Sequence, residues 1–229
     1  AAEFDRELLL DLRCLAEAVT PTTYPKYIAL LDRVKTILSQ DDGKARVVIF
    51  SERIQTLEFL RDSLIKDCKL KWKPDGKANQ IATFHGTLDD KAQMDLVKSF
   101  GSADSKLRVL LASDAAAEGI NLHYFCHHMI HFDLPWSLIT LVQRNGRIDR
   151  FGQKNTPYVD YLLTIPENES TRGDLRILDR LLEKEEQVQK NLGDAASLMN
   201  LHDPERENEK IALAVQGELT FEEVLPDAP

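Results

Sequence analysis

Five short apolar runs, each followed by a polar or amphipathic segment, constrain this chain more than any other feature. They are Arg46–Phe50, Gln80–Phe84, Arg108–Ala112, His127–Phe132 and Tyr158–Leu163. A strand apolar at consecutive positions must be covered on both faces, so such runs separated by helical periodicity predict a mostly parallel sheet between helices, a three-layer α/β arrangement. Ile54, Leu57, Leu60 and Leu64 recur at helical spacing behind Ser51, which is placed to cap their helix. Thr87 and Asp90 form a T-x-x-D capping signal ahead of Leu96, Val97 and Phe100, and Ser137 is placed to cap a third helix carrying Leu138, Leu141 and Val142. Asp41-Asp42-Gly43 and Pro74-Asp75-Gly76 are turn signals that bound these units.

The flanks read as helices. Residues 4–18 and 25–39 have helical patterning, with Pro25 at a first helical position, and residues 171–192 form a long charged segment of the same kind. From Asp203 onward the composition turns polar. The expected organisation is a helical flank over 1–40, an α/β lobe over 41–166, and a helical extension with an acidic tail over 167–229.

With 43% hydrophobic residues in 229, the chain can bury a full core. Its net charge of -9 argues against gripping nucleic acid through a broad basic surface, so any such contact must be local. Cys14, Cys68 and Cys126 lack C-x-x-C spacing, which suggests reduced thiols rather than a disulfide framework or zinc knuckle. His123, His127, His128 and His131 cluster near Cys126, but a strand there points His127 and His131 to one face and His128 to the other, so no metal is expected. No apolar run approaches the roughly 20 residues of a bilayer span, and the first residues lack the order of a signal peptide. A cytoplasmic protein without membrane contact is the expectation.

Ligands of open parallel sheets bind beyond the carboxyl ends of the strands. The residues there are small and polar: Ser51-Glu52-Arg53, His85-Gly86-Thr87, Ser113-Asp114-Ala115 and Asp133-Leu134-Pro135-Trp136. The segment Gly119-Ile120-Asn121-Leu122 and the block Gln143–Gln153 complete the rim. Within that block Arg147 and Arg150 stand three apart, which on a helix places both on one face. Each guanidinium can make bidentate, permanently charged hydrogen bonds to phosphoryl oxygens, and Gly146 permits close approach of a backbone or ligand.

The series V-V-I-F-S-E, F-H-G-T-L, A-S-D-A-A-A-E-G-I-N-L, H-F-D-L-P-W-S and Q-R-N-G-R-I-D-R-F-G-Q resembles, in order and spacing, the second RecA-like lobe of superfamily-two helicase-like ATPases. Within them it is similar to the Swi/Snf-type DNA translocases, especially the bacterial RapA-like branch, over roughly residues 25 to 165. The resemblance implies a two-lobed motor that hydrolyses ATP with Mg2+ between its lobes and tracks along duplex DNA. The partners it implies are the N-terminal RecA-like lobe of the same parent chain, duplex DNA, and a protein such as RNA polymerase or a defence-system subunit. The phosphate loop and the acidic magnesium site belong to the first lobe. Here Gly43-Lys44 and Gly76-Lys77 are each followed by alanine, and no Asp-Glu dipeptide occurs, so these residues alone are expected not to hydrolyse ATP.

Carried over by the same resemblance, Arg147 and Arg150 act as arginine fingers on the γ-phosphoryl group. Gly119, Asn121 and Gln143 face the nucleotide, and Ser51, His85, Gly86, Ser113 and Trp136 approach the DNA backbone. Two other readings stand beside this one: a RecA-like lobe that only docks a partner protein, and the lobe of an RNA helicase.

Overall fold

The computed structural model describes residues 2–74, 76, 78–114, 120–165, 174–175 and 177–183. Gly119 and most of the C-terminal extension, including much of the predicted helix at 171–192, therefore lie outside the described residues. Residues 174–175 and 177–183 are helical.

Each apolar run becomes a strand. They are β1 (Val47–Phe50), β2 (Ile81–Phe84), β3 (Val109–Ala112), β4 (His128–His131) and β5 (Tyr158–Tyr161), ordered β2-β3-β1-β4-β5 with every pairing parallel. β1, β3 and β4 are buried at all four positions, as a sheet covered on both faces requires. Alternation divides their side chains between two cores. Val47, Ile49, Ile81, Val109, Leu111 and Ile130 pack with Tyr27, Leu30, Leu57 and Leu60 on one face. Val48, Phe50, Phe84, Leu110 and Met129 pack with Phe100, Leu122 and Ile148 on the other.

Besides the short helical stretches at 174–175 and 177–183, the described helices include α1 (Ala2–Glu17), α2 (Pro25–Leu38), α3 (Ile54–Asp67), α4 (Asp90–Phe100) and α5 (Leu138–Asn145). Of these, α2 and α3 cover one face of the sheet and Phe100 of α4 packs on the other. Pro25 occupies the first turn of α2. The segment expected as a flank divides in two. Leu8, Leu9, Leu12 and Leu15 of α1 are exposed, whereas Tyr27, Leu30, Val34 and Ile37 of α2 are wholly buried in the first core.

Two caps differ from expectation. Ser51 does not cap α3, whose N-cap is Arg53 without a side-chain bond, because the serine hydroxyl is committed to Asp133. Thr87 does not cap α4, because its hydroxyl bonds His85 Nδ1; Asp89 accepts from the Ala92 N–H at 2.7 Å instead. Ser137 does cap α5, accepting from Thr140 N.

Candidate functional site

The parallel register aligns the carboxyl ends of three strands. Phe50 lies opposite both Ala112 and His131, so Ser51 emerges beside Ser113 and Phe132, with Asp133 one residue further on. Ladder bonds continue one residue past the strands: Ser51 N–H donates to Ala112 O, Ser113 N–H to Phe84 O and Phe132 N–H to Phe50 O.

Arg147 and Arg150 are near each other, but not on a helix. α5 ends at Asn145 with Gly146 as its C-cap, and the arginines follow in a turn held by Arg147 N–H to Arg144 O and Asp149 N–H to Asn145 O. The expectation of one shared helical face is corrected accordingly. Gly146 has ordinary helical backbone angles, and the atoms a Cβ there would crowd are its own helix carbonyls, Val142 O at 3.3 Å foremost. The block closes in a second turn where Gly152 takes φ +96, a region that favours glycine, and Gln153 Nε2 donates to both Ile148 O and Cys126 O.

The Ile120–Leu122 segment holds the arginine turn at three points. Arg147 Nη1 donates to Ile120 O at 3.4 Å, Leu122 N–H donates to Arg147 O at 3.1 Å, and Arg150 Nη1 donates to Asn121 Oδ1 at 2.5 Å. Arg147 is half-buried, while Arg150 and Asn121 are exposed. Predicted residues from two distant segments therefore meet as one polar surface. Gln143 is half-buried on α5, one position before the network described next.

That network centres on Arg144, which sequence reasoning passed over. Its side chain is 2% exposed. Nε and Nη2 grip Asp114 at 2.5 and 2.7 Å, Nη1 donates to Asp133 O at 3.0 Å, and the guanidinium lies over the Phe50 ring. Asp133 also accepts from Ser51 Oγ at 2.6 Å and from the Glu52 N–H at 3.0 Å. A signal was present: Asp114 and Asp133 each stand just beyond a strand run, and a buried arginine needs such carboxylates.

His131 completes the cluster. Arg144 can only donate, so Nδ1 accepts from it at 3.3 Å while Nε2 donates to Asn145 Oδ1 at 3.0 Å, which requires the neutral ring. Burial, with the Arg144 charge behind it, pushes His131 down to about 3. The ring stacks on Tyr161 at 4.8 Å, and Asn145 Nδ2 donates to the Tyr161 hydroxyl. His128 stacks on Tyr158 in the same way. The β4 histidines thus pack as aromatic rings against β5, and among the described residues no group of His, Cys, Asp or Glu is arranged to hold a metal ion.

The residues expected to face DNA spread across the rim. Ser51 and Ser113 are buried, His85 and Trp136 half-buried and Gly86 exposed. Among the described residues no helix is long and apolar enough to cross a membrane.

Comparison with known proteins agrees with this architecture. The chain is 33% identical over 143 residues to the ATP-dependent helicase YqhH of Bacillus subtilis, covering 62% of this chain and 22% of that protein. It is 41% identical over 145 residues to the RNA polymerase-associated protein RapA of Pseudomonas fluorescens, covering 62% and 14% respectively. The chain thus spans less than a quarter of either relative. Its fold is similar to domain 2 of the DEAD-box helicase Mss116p, solved bound to an RNA duplex, with a TM-score of 0.55 at 20% identity over 87% of this chain and 74% of that one. The five parallel strands with helices on both faces are those of a RecA-like helicase lobe. The model of the helicase conserved C-terminal domain matches residues 29–152, from within α2 to the turn after Arg150, and the chain belongs to that family.

Proposed function

We propose that this chain is the C-terminal motor lobe of an ATP-dependent, Swi/Snf-type translocase on duplex DNA, and that Arg147 and Arg150 are its arginine fingers. The observation that carries the reading is the clip between Ile120–Leu122 and the arginine turn, which presents two guanidinium groups beside Asn121. Planar cations held by carbonyl and amide oxygens fit the phosphates of a nucleotide without the reorganisation a free side chain would need. ATP supplies the phosphoryl group, and its Mg2+ is held by the first lobe. Arg147 and Arg150 then offset charge growing on the phosphoryl oxygens, a contribution typically worth about 10³–10⁵ in turnover.

In the same reading His85, Gly86 and Trp136 approach the duplex backbone directly. Ser51 and Ser113 are buried and act through what they hold, Ser51 through Asp133. The 229 residues contain no phosphate loop, so the lobe by itself turns over no ATP.

The test compares ATP hydrolysis by the full parent chain with duplex DNA, with duplex RNA, and without nucleic acid, alongside the isolated lobe. Stimulation by DNA alone and silence of the lobe are expected. Stimulation by RNA alone would assign the lobe to an RNA helicase instead, and turnover by the isolated lobe would overturn the division of labour.

A further inference from the structure

We propose that Arg144 is a positioning residue, one that locks the finger turn to the rim formed by Ser51 and Asp133. The inference rests on the finger reading above and adds a residue to it that touches neither phosphate nor DNA.

The geometry argues for more than packing. Arg144 is the last basic residue of α5, and its carbonyl accepts the Arg147 N–H, so its placement sets where the finger turn begins. Its guanidinium spends every polar edge on the ends of other strands. Asp114 follows β3 and takes Nε and Nη2; Asp133 follows β4 and takes Nη1 at its carbonyl, with its carboxylate 3.5 Å from Nη2; His131 lies within β4. From Asp133 the chain of bonds runs to Ser51 Oγ and the Glu52 N–H, just past β1. Three strand ends therefore converge on one buried fork.

A lysine could offer the charge but not the fork. Its single ammonium cannot span Asp114 bidentately while reaching Asp133 O, so the register of α5 against the strand ends would be lost although neutralisation was kept. A pure space-filling role predicts a different outcome, because retained charge and similar length would then suffice. The Ser51–Asp133–Arg144 path also gives the rim a physical connection to the fingers, and such a connection is established only by measured coupling.

The experiment uses the full parent chain with both lobes, measuring kcat and KM for ATP with saturating duplex DNA. The proteins are the wild type, Arg144→Lys, Asp133→Asn, Arg147→Ala and the Arg144→Lys/Arg147→Ala double variant. Arg144→Lys is expected to lower kcat at least about tenfold while KM stays within roughly twofold, the pattern of a contribution made in the transition state. The combined loss in the double variant should be clearly less than the product of the two single losses, because both changes act through the same turn while Arg150 stays in place. Asp133→Asn keeps the shape and the backbone carbonyl that Arg144 uses while removing the carboxylate charge that Arg144 Nη2 faces at 3.5 Å and that Ser51 and Glu52 share. It should lower kcat about threefold or more with unchanged KM, and it carries the test if Arg144→Lys does not fold.

Arg144→Lys at half the wild-type kcat or better, or independent multiplication of the two effects, would overturn the positioning role. If neither substitution at Arg144 nor that at Asp133 moves kcat while Arg147→Ala abolishes it, the fingers stand and this inference alone falls. Wild-type turnover in Arg147→Ala removes the finger reading, and this inference with it.

Discussion

Asn121 Oδ1 accepts a 2.5 Å hydrogen bond from Arg150 Nη1 across 29 residues of sequence. The residue proposed to face the nucleotide thus aims the second proposed finger, and removing it leaves a long exposed side chain to sample many rotamers. Asn121→Ala is expected to lower ATP turnover of the parent chain by about tenfold or more. Combined with Arg150→Ala it should add little, since both act on one guanidinium. Steady-state kinetics of the two single variants and the double one checks this, and fully multiplicative effects would separate the residues.

Folding stability should fall as pH drops from near neutrality. Burial, above all, holds His131 at about 3 and His128 at about 4, each below the ordinary histidine value. The unfolded chain therefore binds the extra protons, so the stabilisation is complete above about pH 6.5 and is lost as pH falls toward the folded values. The slope is up to roughly 1.4 kcal/mol per pH unit for each ring. Urea unfolding of the chain between about pH 7 and pH 5 measures it, in a window where most carboxylates stay ionised. His131→Gln should flatten the slope; an unchanged slope would move the effect elsewhere.

The two N-terminal helices should respond very unequally to truncation of their leucines. Leu30 of α2 is wholly buried in the sheet-facing core, and Leu12 of α1 is exposed. Leu30→Ala is expected to cost about 2–5 kcal/mol, and Leu12→Ala within about 0.5 kcal/mol. Denaturant midpoints decide the matter, and equal effects would contradict the assignment of α2 to the lobe.

The sheet was legible because its strands are buried on both faces, so Val47–Phe50 and Val109–Ala112 are apolar throughout and need no long-range information to find. Helix starts were less so. A serine beyond a strand satisfies the capping pattern whether or not its hydroxyl is free, and only the fold brings Asp133 within 2.6 Å of Ser51. Likewise the spacing of Arg147 and Arg150 identifies a pair, but spacing does not say that α5 stops at Asn145 and leaves both in a turn. Arg144 escaped notice because its meaning lies in Asp114 and Asp133, which are 30 and 11 residues away in sequence.

The most direct test of the central claim is DNA-stimulated ATP hydrolysis by the full parent chain, wild type against Arg147→Ala, with ATP and DNA binding measured in parallel. A finger acts mainly on the transition state, so binding should persist while most of the stimulated turnover disappears. Wild-type turnover in Arg147→Ala would contradict the assignment.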